Sequence, residues 1–266
     1  MVSDSNTFSS LLVDETVTGT SFTASGLPSS VVLYWKVVTL SGCNTGIVES
    51  AVYSFSTTAV PGDCSIGLVP VTSVNFGFES GEQGWTHSGL IGSDAWSISG
   101  NNVHSGSQAF HGAAFAAETD SVLVSPPIVL PTNRAPLTFQ FWNRQEMEDS
   151  STGCFDGGML EISTDGGANY TQMPGSAMFS DPYDGAISTA WGNPLGGADA
   201  WCGDPQAYLN SIVDIDVYAG QTVQFRFRKA NDSSVAHEGW NIDDVRIIGC
   251  DTDNIFGNSF DPMPVR

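Results

Sequence analysis

Apolar residues along this chain recur at every second position, and no long stretch follows the 3.6-residue period of a helix. In "TVQFRFR" Val223, Phe225 and Phe227 fall on one face and Gln224, Arg226 and Arg228 on the other, because side chains of an extended strand point alternately to opposite sides. "VVLYWKVVT", "AVYSFSTT", "LTFQFWN", "MLEIST" and "SIVDIDV" have the same character and are rich in β-branched and aromatic residues, which pack well on a pleated surface. Turn signals separate the runs, as in "TDGGAN" after "MLEIS" and "YAGQT" before "VQFRFR", and both suit hairpin connections. The chain is therefore all-β, with sheets covered on one face. The arginine face reads as a solvated or ion-paired surface.

One run breaks the pattern. "GWNIDDVRIIGC", residues 239 to 250, carries two adjacent aspartates. Strict alternation sends Trp240, Ile242 and Asp244 to one face and Asp243, Val245 and Ile247 to the other, so both faces have an apolar claim and one carboxylate points inward. A buried carboxylate is costly unless it is paired or coordinated. Cations to pair it are scarce: 8 Lys and Arg stand against 29 Asp and Glu, a net charge of −21. Such a charge repels nucleic acid and anionic membranes and favours divalent cations. Calcium takes about six to eight oxygens, so strands that meet from distant sequence can build a site for it.

The 266 residues, 41% of them apolar, are enough for one sizeable domain and a smaller piece. No run approaches the roughly 20 apolar residues that span a bilayer, which implies no membrane insertion. The start "MVSDSNTFSS" lacks the basic and apolar regions of a signal peptide, so a soluble chain whose targeting signal is absent or removed is expected. Cys43, Cys64, Cys154, Cys202 and Cys250 show no CxxC spacing. In an acidic, lysine-poor chain they read as disulfide partners in a secreted, extracellular protein.

Pro61, Gly62, Gly67 and Pro70 interrupt the strand pattern and mark a linker over residues 59–72. Upstream, the "Thr-x-Phe" segment of "GTSFTASG", then "LPSS", "LYWKV" with Tyr34 and Trp35, and "YSFSTT" resemble the closing strands of a fibronectin type III domain, an immunoglobulin-like sandwich. Residues 1–58 are then its C-terminal part. Such a domain needs about 90 to 100 residues, so the chain is expected to begin inside it. The partner of Cys43 lies in the missing part, or is Cys64.

Residues 73–250 carry, in order, "VNFGFESGEQGWTHSG", "DAWSISGNNVHSGSQAFHG", "TDSVLVSPPIVLP", "LTFQFWN", "FDGGMLEISTDGGANY" and "GWNIDDVRI". This succession resembles the MAM-like, cleaved-adhesin-like jelly rolls of bacterial secreted peptidases. The resemblance implies a jelly-roll β-sandwich of two antiparallel sheets whose first and last strands are neighbours, and a non-catalytic accessory role. It also implies the pairings Cys64–Cys250, which brackets the domain, and Cys154–Cys202. In the chain-entropy model loops of these lengths contribute roughly 5 and 4 kcal/mol. Calcium is implied too, with the family's "FE" and "IDDV" matching Glu79 and Asp244 and with Asp243 and Asp120 as further ligands. Otherwise Glu79 and Asp243 are ordinary exposed residues at strand ends.

No HExxH, GxSxG, phosphate-binding or dinucleotide motif occurs, and His87, His104, His111 and His237 read as loop or sheet-surface residues. Asp156 with Asp181 and Asp184 is a second candidate ion site. The long segment from Pro174 to Tyr208 contains Tyr183, Trp191, Trp201 and Tyr208, which either stack on a sugar ring or hold a peptide, or cap the core from outside. Trp85, Trp96, Trp142 and Trp240 are assigned to the core. Residues 251–266 read as a tail resembling the endings of some secreted bacterial proteins. The expected function is a calcium-stabilised accessory module that binds an extracellular polysaccharide or protein ligand, with a catalytic domain, such as a peptidase, upstream in the parent. The rivals are a carboxylate-based extracellular hydrolase, with Trp191 and Trp201 lining an open cleft, and a structural spacer.

Overall fold

The computed structural model describes residues 1–39 and 47–252; Cys43 and most of the tail lie outside them. Two compact units divide the chain, one formed by Met1–Pro70 with the segment from Cys250 onward, the other by Val71–Gly249. Among the described residues there is no α-helix, only two short 3-10 turns, and no helix is long and apolar enough to cross a membrane.

In the first unit Val2–Ser3, Val32–Trp35 and Tyr53–Ser56 form a three-stranded antiparallel sheet, and Val38–Thr39 pairs with Val48–Glu49. Leu33 is its one fully buried apolar side chain among the described residues, while Trp35, Tyr53 and Phe55 remain exposed. The "Thr-x-Phe" segment is not a strand: residues 20–22 have no ladder partner and Phe22 is exposed. Val2–Ser3 supplies a strand there that alternation over so short a stretch does not reveal. Cys64 and Cys250 form a disulfide within this unit, their Cα atoms 5.4 Å apart.

The second unit is a jelly-roll β-sandwich. One sheet runs Thr171–Gln172, Gly157–Ser163, Thr222–Asn231, Thr119–Val124, Thr86–Ile91, with Ile128–Val129 also on Thr222–Asn231. The other runs Met178–Ser180, Leu209–Asp214, Leu137–Glu146, Gly239–Thr252, Ala109–Ala113, Trp96–Ser99. Leu68–Phe76 pairs with Gly239–Thr252, so the strands that open and close this part of the chain are neighbours. Alternation does its work between the sheets. Phe139 stacks on Phe225 at 3.9 Å, and Trp85 stacks on Phe227 at 5.8 Å. Each buried aromatic of this size contributes on the order of 2–3 kcal/mol of hydrophobic stabilisation. On the opposite face Arg226 pairs with Glu161 at 2.6 Å and lies over the Tyr170 ring, so the arginine face is ion-paired. Cys154 and Cys202 form the second disulfide.

Candidate metal centre

The aspartate pair is accommodated by an extra residue. Gln140 is the ladder partner of Arg246, but Trp142 is the partner of Asp243, so Phe141 faces two residues, Asp244 and Val245. This is a β-bulge, and Asp244 takes the left-handed conformation it needs, with φ 46°. Short polar side chains tolerate that region better than most. The bulge shifts the phase of alternation by one. Trp240 and Ile242 before it and Val245 and Ile247 after it all enter the core, and both carboxylates leave it. The expectation of an inward-pointing aspartate is thus corrected in one respect: both aspartates are buried, but neither enters the apolar core, because the strand is not uniform.

Both carboxylates lie instead against the segment 104–108. Asp243, fully buried, accepts the backbone N–H groups of His104 and Ser105 at 2.9 and 3.1 Å on one oxygen and that of Asp244 at 2.7 Å on the other. Asp244 lies 2.6 Å from His104 Nδ1 and 3.4 Å from Arg246. Glu79 accepts the Ser107 N–H and hydroxyl, at 2.9 and 2.8 Å, and the Gln108 N–H at 3.2 Å. Gly106 permits this approach. It has φ 66°, and a Cβ there would stand 2.2 Å from Glu79 Oε1.

The His104 ring stacks on Trp142 at 3.8 Å and meets the edge of Tyr208. The Tyr208 hydroxyl donates to the Asn102 carbonyl, and Asn102 donates to Glu238. Trp142 is therefore half-buried outside the core rather than within it, and Tyr208 supports the 102–104 segment rather than standing free.

Electrostatics differ within the group. Burial pushes the Asp243 carboxyl above its ordinary value, and the charge of Asp244 adds to this, against the backbone N–H groups. Burial works against ionised Asp244 as well, but hydrogen bonds from His104 and Ser105 and the Arg246 guanidinium outweigh it and hold that carboxyl low. Glu79 is held low chiefly by the Ser107 N–H.

Ligand atoms of His104, Asp243 and Asp244 all lie within 4.8 Å of one another. Glu79 is bound to the far end of the same loop and feels the charge of Asp244. The donors are mostly carboxylate oxygens, with Arg246 as the facing guanidinium. Such a set fits a hard divalent cation such as calcium. His104, whose nitrogen suits calcium poorly, is the member that sequence reasoning missed; in "NNVHSGSQ" only the Gly between two serines marks a tight loop.

Other predicted sites are distributed differently. Asp120 is on the opposite sheet, 2% exposed, and forms a two-pronged ion pair with Arg228 at 2.9 and 2.5 Å, so it is not part of this centre. Asp156 does not meet Asp181 or Asp184. It groups instead with Glu148 and Asp232, accepting from Asn231 at 2.5 Å and from the Asp232 N–H at 2.7 Å. Asp181 accepts from Ser211 and Asn143, and Asp184 from the Cys202 N–H and Gln145.

Trp201 is fully buried, its indole N–H donating to the Asp181 carbonyl at 2.9 Å. Tyr183 packs edge-on against it at 4.5 Å. Trp201 thus belongs to the core itself, packed on Phe141 and Trp240, and Tyr183 packs against that core from its margin. Trp191 is 58% exposed.

No protein-family model matches the chain. Bacillopeptidase F of Bacillus subtilis (strain 168) is 26% identical over 174 residues, 63% of this chain, and the matched stretch spans only 10% of that protein. Among solved structures, the K3 cleaved adhesin domain of Lys-gingipain from Porphyromonas gingivalis W83 is 19% identical, covering 66% of this chain and 98% of that one, with a TM-score of 0.41. The carbohydrate-binding module TmCBM61, solved with β-1,4-galactotriose, is 18% identical, covering 64% of this chain and 92% of that one, with a TM-score of 0.40.

Proposed function

We propose that the Val71–Gly249 sandwich is a non-catalytic binding module of a secreted multidomain protein, stabilised by calcium at Asp243, Asp244 and Glu79. The observation that carries the metal reading is the bulge at Asp244, which turns two adjacent carboxylates out of the core and onto one loop. Both disulfides suit an oxidising, extracellular setting. Likeness to a stretch of Bacillopeptidase F supports a peptidase as the parent, and a polysaccharide or protein as the ligand follows from an accessory role there. The Met1–Pro70 unit is read as the closing part of a fibronectin type III-like domain.

When bound, calcium would supply positive charge that offsets the mutual repulsion of Asp243, Asp244 and Glu79. The loop N–H groups orient the carboxylates, and Arg246 and His104 limit their charge on the remaining side. Thermal unfolding with calcium and with chelator tests the reading. At ten times its dissociation constant the ion should stabilise by about 1.4 kcal/mol, a shift of a few degrees for a domain of this size. An identical melt in both conditions sinks it.

A further inference from the structure

A cleft of about 450 Å³ opens between the turn at residues 149–153 and the segment 202–209. Its walls are tied together by the Cys154–Cys202 bridge and by the paired backbones of Met147 and Gly203, so it is preformed and ligand binding need not order it. Gln145, 2% exposed, lines it. The Gln145 amide is oriented by its neighbours: Nε2 donates to the Asp184 carboxylate and the Cys202 carbonyl, each at 3.2 Å. That leaves Oε1 buried with no hydrogen-bond donor. An unmet buried acceptor is costly, by about 1–3 kcal/mol, and Gln145 could not relieve it by flipping without turning its oxygen toward Asp184.

The rest of the lining is acidic and hydroxyl-bearing. Asp149, Asp184 and Asp204 contribute carboxylates, and among the described residues no Lys, Arg, His or aromatic residue lines the cleft. A sugar ring would find no aromatic platform here. A bare metal ion is also a poor match. Asp149, Asp184 and Asp204 do not converge within 4.8 Å as the three-residue groups elsewhere do, and the volume far exceeds one ion. Pro205 and Leu209 add an apolar stretch to the wall. Carboxylates at one end and apolar surface beside them match a long side chain with an aliphatic stem and a cationic head.

We propose that this cleft binds a lysine or arginine side chain of a basic polypeptide ligand. The carboxylates of Asp149 and Asp204, with Asp184 beside them, receive its N–H donors, and Leu209 and Pro205 cover its methylenes. The overall charge of −21 attracts such a partner from a distance.

The site is separate from the metal centre, so the full chain is titrated in saturating calcium. The probes are an acetylated, amidated tripeptide with central lysine, its norleucine counterpart, spermidine and a neutral galacto-oligosaccharide. The lysine peptide should bind, with the norleucine peptide about ten-fold weaker and with affinity falling as salt rises. Asp149→Asn and Asp204→Asn, both at exposed positions, should each weaken the lysine peptide by about three-fold or more with the melting temperature unchanged. Equal binding of the lysine and norleucine peptides overturns the proposal, as does undiminished binding in both variants. So does failure of the lysine peptide to bind, whether or not the oligosaccharide or spermidine binds. A loss of peptide binding leaves the calcium-induced shift in melting intact, and the converse also holds.

Discussion

Asp243 and Asp156 are both carboxylates without solvent exposure, yet their surroundings differ. Asp243 meets three backbone N–H groups, two of them from one loop, and its neighbours Asp244 and Glu79 are held in their charged forms. Asp156 meets one backbone N–H and one side-chain amide. Its companion Glu148 keeps a buried oxygen with no hydrogen-bond partner. Burial pushes both Asp156 and Glu148 upward, and Asp232 adds repulsion to each. Nearby Lys229, fully enclosed, is pushed down to about 8 by burial. Asp244 and Glu79 thus keep their negative charge beside an Asp243 that burial pushes upward, while Asp156 and Glu148 are both driven toward protonation. Proximity of carboxylates alone does not make a cation site.

The comparison is open to several tests. Asp243→Ala should cost the most, about 3–4 kcal/mol, because it strands the N–H groups of His104, Ser105 and Asp244, whereas Asp156→Ala should cost about 2–3 kcal/mol. Denaturant melts giving the reverse order would break the contrast. Next in size is the calcium response of about 1.4 kcal/mol at ten times the dissociation constant. It should vanish in Asp244→Asn and persist in Glu148→Gln; the opposite pattern would move the ion to the second cluster.

Glu148→Gln itself should stabilise by less than about 1 kcal/mol after solvent screening, read as a small rise in melting temperature. The smallest effect is in the pH profile, where Asp244 and Glu79 have the opposite sign to Asp156 and Glu148, and Asp243 shares the sign of the latter pair. Asp244 and Glu79 have lowered folded values, so their stabilisation is present above the ordinary 3.8 and 4.5 and is lost as pH falls through the folded values. Asp156 and Glu148 have raised values, so stability declines as pH climbs from the ordinary 3.8 and 4.5 to the folded values. Asp244→Asn should flatten only the acid side, and Glu148→Gln only the upper side.

Much of the sandwich was legible because period-2 alternation is a local property: "TVQFRFR" and "LTFQFWN" declare their inward faces residue by residue. The bulge was not read, since strict alternation assumes one partner per residue. Yet the jump from Trp240 and Ile242 to Val245 and Ile247 carries its signature, two apolar pairs one step out of phase. Trp201 misled for a related reason. Flanked by Gly, Asp and Ala, it looks like a loop residue, and only the bridge at Cys202 reveals how the loop folds back. Asp120 was assigned by resemblance; its cross-strand partner Arg228 lies 108 residues away, beyond the reach of local pattern. His104 reached the candidate metal centre through a loop whose sequence names no partner.

The Cys64–Cys250 bridge joins positions 186 residues apart and so closes a covalent ring around the whole Val71–Gly249 sandwich. Pulling on chain that precedes Cys64 and chain that follows Cys250 loads the sulfur–sulfur bond, and the strands inside the ring carry no tension. Tension applied from outside the ring therefore bypasses the sandwich until that one bond is reduced.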